Sequence, residues 1–186
     1  MRKEVLIGGF GGQGVILSSV ILGRAAAVYE GLYSVQTQAY GPQSRGGASK
    51  AEVVISDELI DYPKALNPDY AVLLSQQAYE KYLSLVKEGG IVIVEKDLIP
   101  NRNEELEKNF SVHAIPFTKL AEESTGLSLT MNILTLGFLV KLTGIVSEDA
   151  IEKAVLDSIP KGTEHLNLKA LKKGFELGEK ALKGEL

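Results

Sequence analysis

Short apolar runs alternate with helical periodicity over the first two thirds of the chain, and helical periodicity alone follows. Val5-Leu6-Ile7 ends in glycines and reads as a first buried strand. Gly8 to Gly14 is a glycine-rich turn, Val15 to Glu30 is helical, and Gly31 is a natural stop. Leu32 to Gln38 alternates as a second strand, so strand, helix and strand predict a right-handed parallel unit. Residues 51–56 form a strand whose only charge is Glu52. No helix fits before it, which predicts an antiparallel strand at an edge. Residues 71–74, 91–94 and 111–115 are further strands, with a helix at 76–87 ended by Glu88-Gly89-Gly90. After Pro116 only helices are expected, at 118–124, 129–143, 147–159 and 166–183. The pattern predicts a single domain over 1–186. Its class is α/β: a doubly wound, mostly parallel, Rossmann-like sheet with a helical C-terminal end.

Gly9-Phe10-Gly11-Gly12-Gln13-Gly14 fits G-x-G-x-x-G and sits between a strand and a helix, the context that spacing needs. Glycines allow a tight turn, and free N–H groups at the helix start attract a phosphate or carboxylate. The same turn also serves simply to bring helix and sheet together. Gln13, its one polar side chain, either reaches a ligand or a neighbouring subunit, or ties the loop to itself. Binding of NAD needs an acid at the end of the second strand, about 20 residues on. That strand ends Val35-Gln36-Thr37-Gln38, and Glu30 falls before it. Gly14 is followed by Val15-Ile16-Leu17, so there is no Walker lysine, and no Gly-x-Ser-x-Gly elbow occurs.

The 186 residues include no cysteine, which excludes thiol catalysis, disulfides and an iron–sulfur cluster held by this chain. Two histidines, His113 and His165, stand too far apart to suggest a metal site. A net charge of −4 argues against nucleic acid as partner. The N-terminus enters its first strand with no signal-peptide plan, so a cytoplasmic location is expected.

Two features remain. Tyr40-Gly41-Pro42-Gln43-Ser44-Arg45-Gly46-Gly47 carries one of only four arginines. As the loop after the second strand it is expected beside the glycine turn, where Arg45 either clamps an anion bidentately or fastens its own loop. The helices at 15–28 and 129–142 are apolar on nearly all faces. Both are too short to span a membrane. They are either wrapped by the chain or covered by other subunits, and in the second case the isolated chain self-associates.

Taken together, these segments resemble the gamma subunit of the 2-oxoacid:ferredoxin oxidoreductases. That family begins with a strand, a G-x-G-G-Q-G-V turn, here Gly9 to Val15, and an apolar helix. A Tyr-Gly-Pro-Glu-x-Arg-Gly-Gly loop follows, here Tyr40 to Gly47, with Gln43 where the family usually has glutamate. Then come Ile60-Asp61-Tyr62-Pro63, Pro68-Asp69, and a late helix with Asn132 and Leu136-Gly137. The resemblance covers essentially the whole chain, and its loops are closest to the 2-oxoglutarate branch.

The resemblance implies a holoenzyme that decarboxylates a 2-oxoacid oxidatively, passes the acyl group to coenzyme A and reduces ferredoxin. Thiamine diphosphate, Mg2+ and [4Fe-4S] clusters are expected on the alpha and beta subunits, with a ferredoxin-like delta subunit in some members. This chain is then expected to be catalytically silent alone and to support assembly and the approach of coenzyme A. Its candidate contacts are Gly9, Gly11, Gly12, Gln13, Gly14, Tyr40, Arg45 and Gly46. Alternatives are the equivalent subunit of a pyruvate, ketoisovalerate or indolepyruvate enzyme, a stand-alone nucleotide-dependent oxidoreductase, and a pure interaction subunit that binds no ligand.

Overall fold

In the computed structural model, which describes residues 1–39 and 47–186, the first apolar run lies at the middle of the sheet. β1 (Arg2–Gly9) has Val5, Leu6 and Ile7 buried, because strands flank it on both sides and helices cover both its faces. The other strands are β2 (Tyr33–Ala39), β3 (Ser49–Ser56), β4 (Tyr70–Leu73), β5 (Ile91–Glu95) and β6 (Ser111–Ile115). Their order is β2-β3-β1-β4-β5-β6. β1, β4, β5 and β6 are parallel neighbours, and β3 runs antiparallel to both β1 and β2.

The sheet is therefore mixed, and β3 corrects one expectation. It is antiparallel as the missing helix implied, yet it fills the gap between β2 and β1 rather than an edge. Ala51 to Ser56 are all buried, the burial of an interior strand. Its single charge fits there because Glu52 is neutralised by Lys50 at 2.9 Å and accepts the Ala65 N–H at 2.7 Å. β2 still runs in the direction of β1, so the strand–helix–strand unit survives with β3 inserted.

Helices lie on both faces. One face carries α1 (Val15–Arg24), which continues as a π-helical turn over Ala25–Tyr29, with α4 (Phe117–Thr125), α5 (Met131–Thr143), α6 (Glu148–Ser158) and α7 (Glu164–Leu182). The other carries α2 (Gln76–Tyr82), around Leu6, Leu73, Tyr82 and Ile99. The single turn α3 (Glu104–Glu107), capped by Asn103, has no counterpart in the sequence pattern. No single helix among the described residues is long and apolar enough to cross a membrane.

Of the two alternatives for the apolar helices, the structure favours the first: the chain itself buries most of both, leaving Leu17 and Val28 exposed. Every residue of α5 from Met131 to Val140 is buried by the chain itself. In α1, Ile21 and Leu22 are buried and only Leu17 opens noticeably to solvent. α5 and α7 meet backbone to backbone. A Cβ on Gly137 would lie 2.4 Å from the Leu171 carbonyl oxygen, and one on Gly174 would lie 2.1 Å from that of Leu134.

Gly174→Ala tests this contact. In an open helix alanine would stabilise by about 1 kcal/mol. Here forced separation of α5 and α7 should reverse the sign and destabilise by about 1–3 kcal/mol. Thermal unfolding of the purified chain should show a Tm lower by several degrees; an unchanged or raised Tm would mean the helices do not touch.

Candidate functional site

Strand order reverses between β1 and β4: the chain runs from β1 through α1 to β2 on one side, while β4, β5 and β6 extend the other. In open α/β sheets the crevice beyond the carboxyl ends of such strands is where ligands bind. The glycine turn, residues 9–14, stands at this position.

Gln13 settles its own alternatives. Its Oε1 accepts the Phe10 N–H at 2.8 Å and its Nε2 donates to the Leu74 carbonyl at 2.8 Å, so the buried amide ties the turn to itself and to the end of β4. Gly9 has no room for a side chain, since a Cβ would fall 2.4 Å from Gln13 Oε1. Gly12 and Gly14 have φ of 93° and 73°, in the left-handed region where glycine is favoured. Gly14 is also the N-cap of α1, and a Cβ there would lie 2.3 Å from Asn132 Nδ2. Gly11 differs from these three glycines: its φ is not positive, and nothing lies within 4 Å of an added Cβ.

α1 begins with no side-chain cap and no acid in its first turn. Among the described residues the N–H groups of Val15, Ile16 and Leu17 have no acceptor, and they stand at the positive end of the helix dipole. This suits an oxyanion and supplies no redox or acid–base chemistry.

Tyr40, Arg45 and Gly46 lie outside the described residues. The flanks of their loop stand at the same end of the sheet. Ser49 pairs with Gly9 and its hydroxyl donates to the Gly9 carbonyl at 3.3 Å. A Cβ on Gly47, whose φ is 81°, would come within 2.8 Å of Gln77 Oε1 at the start of α2.

Ile60-Asp61-Tyr62-Pro63 sits elsewhere, at the amino end of β1, because Ser56 at the end of β3 pairs with Arg2. The Arg2 guanidinium donates to the carbonyls of Tyr62 (2.8 Å) and Lys64 (3.2 Å). The carboxylate of Glu4 accepts the Asn67 N–H, and that of Asp69 accepts the Glu4 N–H, both at 2.9 Å. These bonds hold a connection that exposes Leu59, Tyr62 and Leu66.

A carboxylate for a ribose is missing from the end of β2. Gln36 there donates to Ser19 Oγ at 2.9 Å, and Glu30 instead accepts the Ser147 N–H at the start of α6. Other buried polar groups fasten the fold. Glu95, fully buried, accepts the N–H and hydroxyl of Thr118, both at 2.7 Å. The Tyr79 hydroxyl donates to Glu107, and burial together with that bond pushes its pKa up to about 12. Arg102 grips the same carboxylate with two N–H groups at 2.6 and 2.8 Å and lowers its pKa. Among the described residues no group of three acids or histidines could hold a metal ion, and with no cysteine in the sequence the chain has nothing to bind a cluster.

Known proteins agree with this architecture. The sequence profile of the pyruvate ferredoxin/flavodoxin oxidoreductase family matches residues 4–177, and the chain belongs to that family. It is 55% identical to the 2-oxoglutarate synthase subunit KorC of Methanocaldococcus jannaschii, over 96% of this chain and 95% of that one. It is 30% identical to the pyruvate synthase subunit PorC of Methanothermobacter marburgensis, over 93% and 96%. The crystal structure of a keto/oxoacid ferredoxin oxidoreductase gamma subunit from Geobacter sulfurreducens superposes with a TM-score of 0.85 at 41% identity, covering 95% of this chain and 98% of that one.

The turn's glycines should separate by substitution. Gly14→Ala must take a left-handed φ and displace Asn132, at a cost of about 2 kcal/mol or more. Gly11→Ala should stay within about 0.5 kcal/mol of the parent. Denaturant unfolding of the two variants checks this, and equal stabilities would contradict the close approach of α5 to the turn.

Proposed function

We propose that the chain is the gamma, KorC-type subunit of a 2-oxoglutarate:ferredoxin oxidoreductase. That complex decarboxylates the 2-oxoacid oxidatively, forms the acyl-CoA and reduces ferredoxin. The observation that carries the reading is end-to-end similarity to KorC at 55% identity, against 30% to PorC. In this reading the chain contributes no reacting group. Alpha and beta subunits, in some complexes with a ferredoxin-like delta subunit, hold thiamine diphosphate, Mg2+ and the [4Fe-4S] clusters, and ferredoxin accepts the electrons. A chain without cysteine is consistent with that division.

Its own part is to complete the assembly and to line the approach of coenzyme A. Support for this comes from the glycine turn at the switch point, whose backbone donors favour an anion. Gly9 and Gly14 keep side chains out, Gly12 turns the backbone, Gln13 braces the turn and Gly11 leaves its outer side open. Tyr40, Arg45 and Gly46 belong to the loop whose flanks reach the same end, and Arg45 supplies the bidentate cation that the turn lacks.

The test is reconstitution. The purified chain should not reduce a viologen dye with 2-oxoglutarate and coenzyme A. The complex with alpha and beta subunits should, faster with 2-oxoglutarate than with pyruvate. Arg45→Ala should leave the Tm of the chain nearly unchanged and raise the apparent KM for coenzyme A about ten- to a hundredfold. Turnover by the chain alone, or a preference for pyruvate, would refute the subunit assignment. A lowered Tm with normal coenzyme A kinetics would make Arg45 a fastener of its own loop.

A further inference from the structure

Most polar side chains around the crevice are committed to the fold. Gln13 holds the turn, the Ser75 hydroxyl accepts the Ala78 N–H, and the Thr135 hydroxyl donates to the Met131 carbonyl. Lys50, in register with Gly8, is engaged by Glu52 and lies over the Tyr82 ring. Asn132 is different. It is 7% exposed, yet its carboxamide has no hydrogen-bond partner among the described residues. The one fully sealed side-chain polar atom without a partner there is Thr37 Oγ1, so the Asn132 amide still reaches open space.

The amide points at the start of α1. Asn132 Nδ2 stands 2.3 Å, and its Cγ 2.8 Å, from where a Cβ of Gly14 would be. The side chain thus covers an N-cap that has no side chain of its own, at the start of a helix whose first N–H groups have no acceptor among the described residues. Ser18, only 4% exposed, lines the same small cavity as Asn132 between α1 and α5. The residue type is informative too. Asn132 occupies the first turn of α5, where the dipole favours an aspartate. A neutral donor in place of that acid keeps the α1 terminus attractive to an anion.

We propose that Asn132 is an anion-contact residue, whose Nδ2 donates to an oxygen of a phosphate or pyrophosphate ester seated on the first turn of α1. This rests on the reading that coenzyme A approaches the glycine turn, and it assigns the contact to a side chain on a different helix. Gly14 is required because any side chain there would displace that donor.

Asn132→Asp is nearly isosteric and replaces the donor by a negative charge. Inorganic pyrophosphate titrated into the purified chain by calorimetry should bind, and the variant should bind at least about tenfold more weakly. Its Tm should stay the same or rise, since an acid suits the helix start. Asn132→Ala, without the added charge, should fall between the two. The proposal is overturned if the wild-type chain does not bind pyrophosphate, or if Asn132→Asp binds it as well as the parent. The apparent KM for coenzyme A of the assembled complex separates this from the broader reading. Lost pyrophosphate binding with an unchanged KM supports the Asn132 site and contradicts the coenzyme A assignment. A KM raised by Arg45→Ala but not by Asn132→Asp does the reverse.

Discussion

Helix α5 is held by close contacts at three glycines, and the rest of the molecule is arranged around it. Gly137 and Gly174 let α5 and α7 touch without side chains between them, and Gly14 lets the first turn of α5 close over the start of α1. A helix apolar on every side can exist in water only if it is enclosed. Here the sheet, α1, α4, α6 and α7 enclose it. The same enclosure fixes where Asn132 stands relative to the glycine turn, so packing of the core and geometry of the crevice are one problem.

The crevice works with backbone donors. In the proposed role, a chain of net charge −4 attracts an anion locally by aligning N–H groups at one helix start that has no acid in its first turn. Glutamates that could have opposed an anion are engaged elsewhere: Glu30 at α6, Glu95 beneath Thr118, Glu52 with Lys50. The missing acid at the end of β2 removes the grip on a ribose that an NAD site uses. What remains fits a phosphate ester without fixing a nicotinamide cofactor.

Much of this was legible in the sequence. Apolar runs located all six strands, and the glycine turn was placed correctly at the end of β1. The missing helix before β3 predicts an antiparallel strand at an edge; Glu52 is admitted to the interior by Lys50 and by the Ala65 N–H, which arrives only once the 57–69 connection folds back. The single turn α3 is too short to show a period. Gly11 and Gly14 are both glycines of one motif, and only the left-handed φ of Gly14 and its contact with Asn132, over a hundred positions later, tell them apart. Apolar periodicity reports that α1 and α5 are covered, but not whether this chain or another covers them. Asn132 was visible as part of a family pattern, while its task depends on a contact between helices that no local pattern encodes.

Amide hydrogen exchange, measured on the purified chain and on the chain assembled with its partner subunits, tests most directly whether α5 is core and the turn is the working face. Amides of residues 131–143 should be protected in the isolated chain as strongly as those of β1. Assembly should add protection over residues 9–17 and leave α5 unchanged. Rapid exchange of α5 in the isolated chain, slowed only on assembly, would contradict this account and make α5 an interface helix.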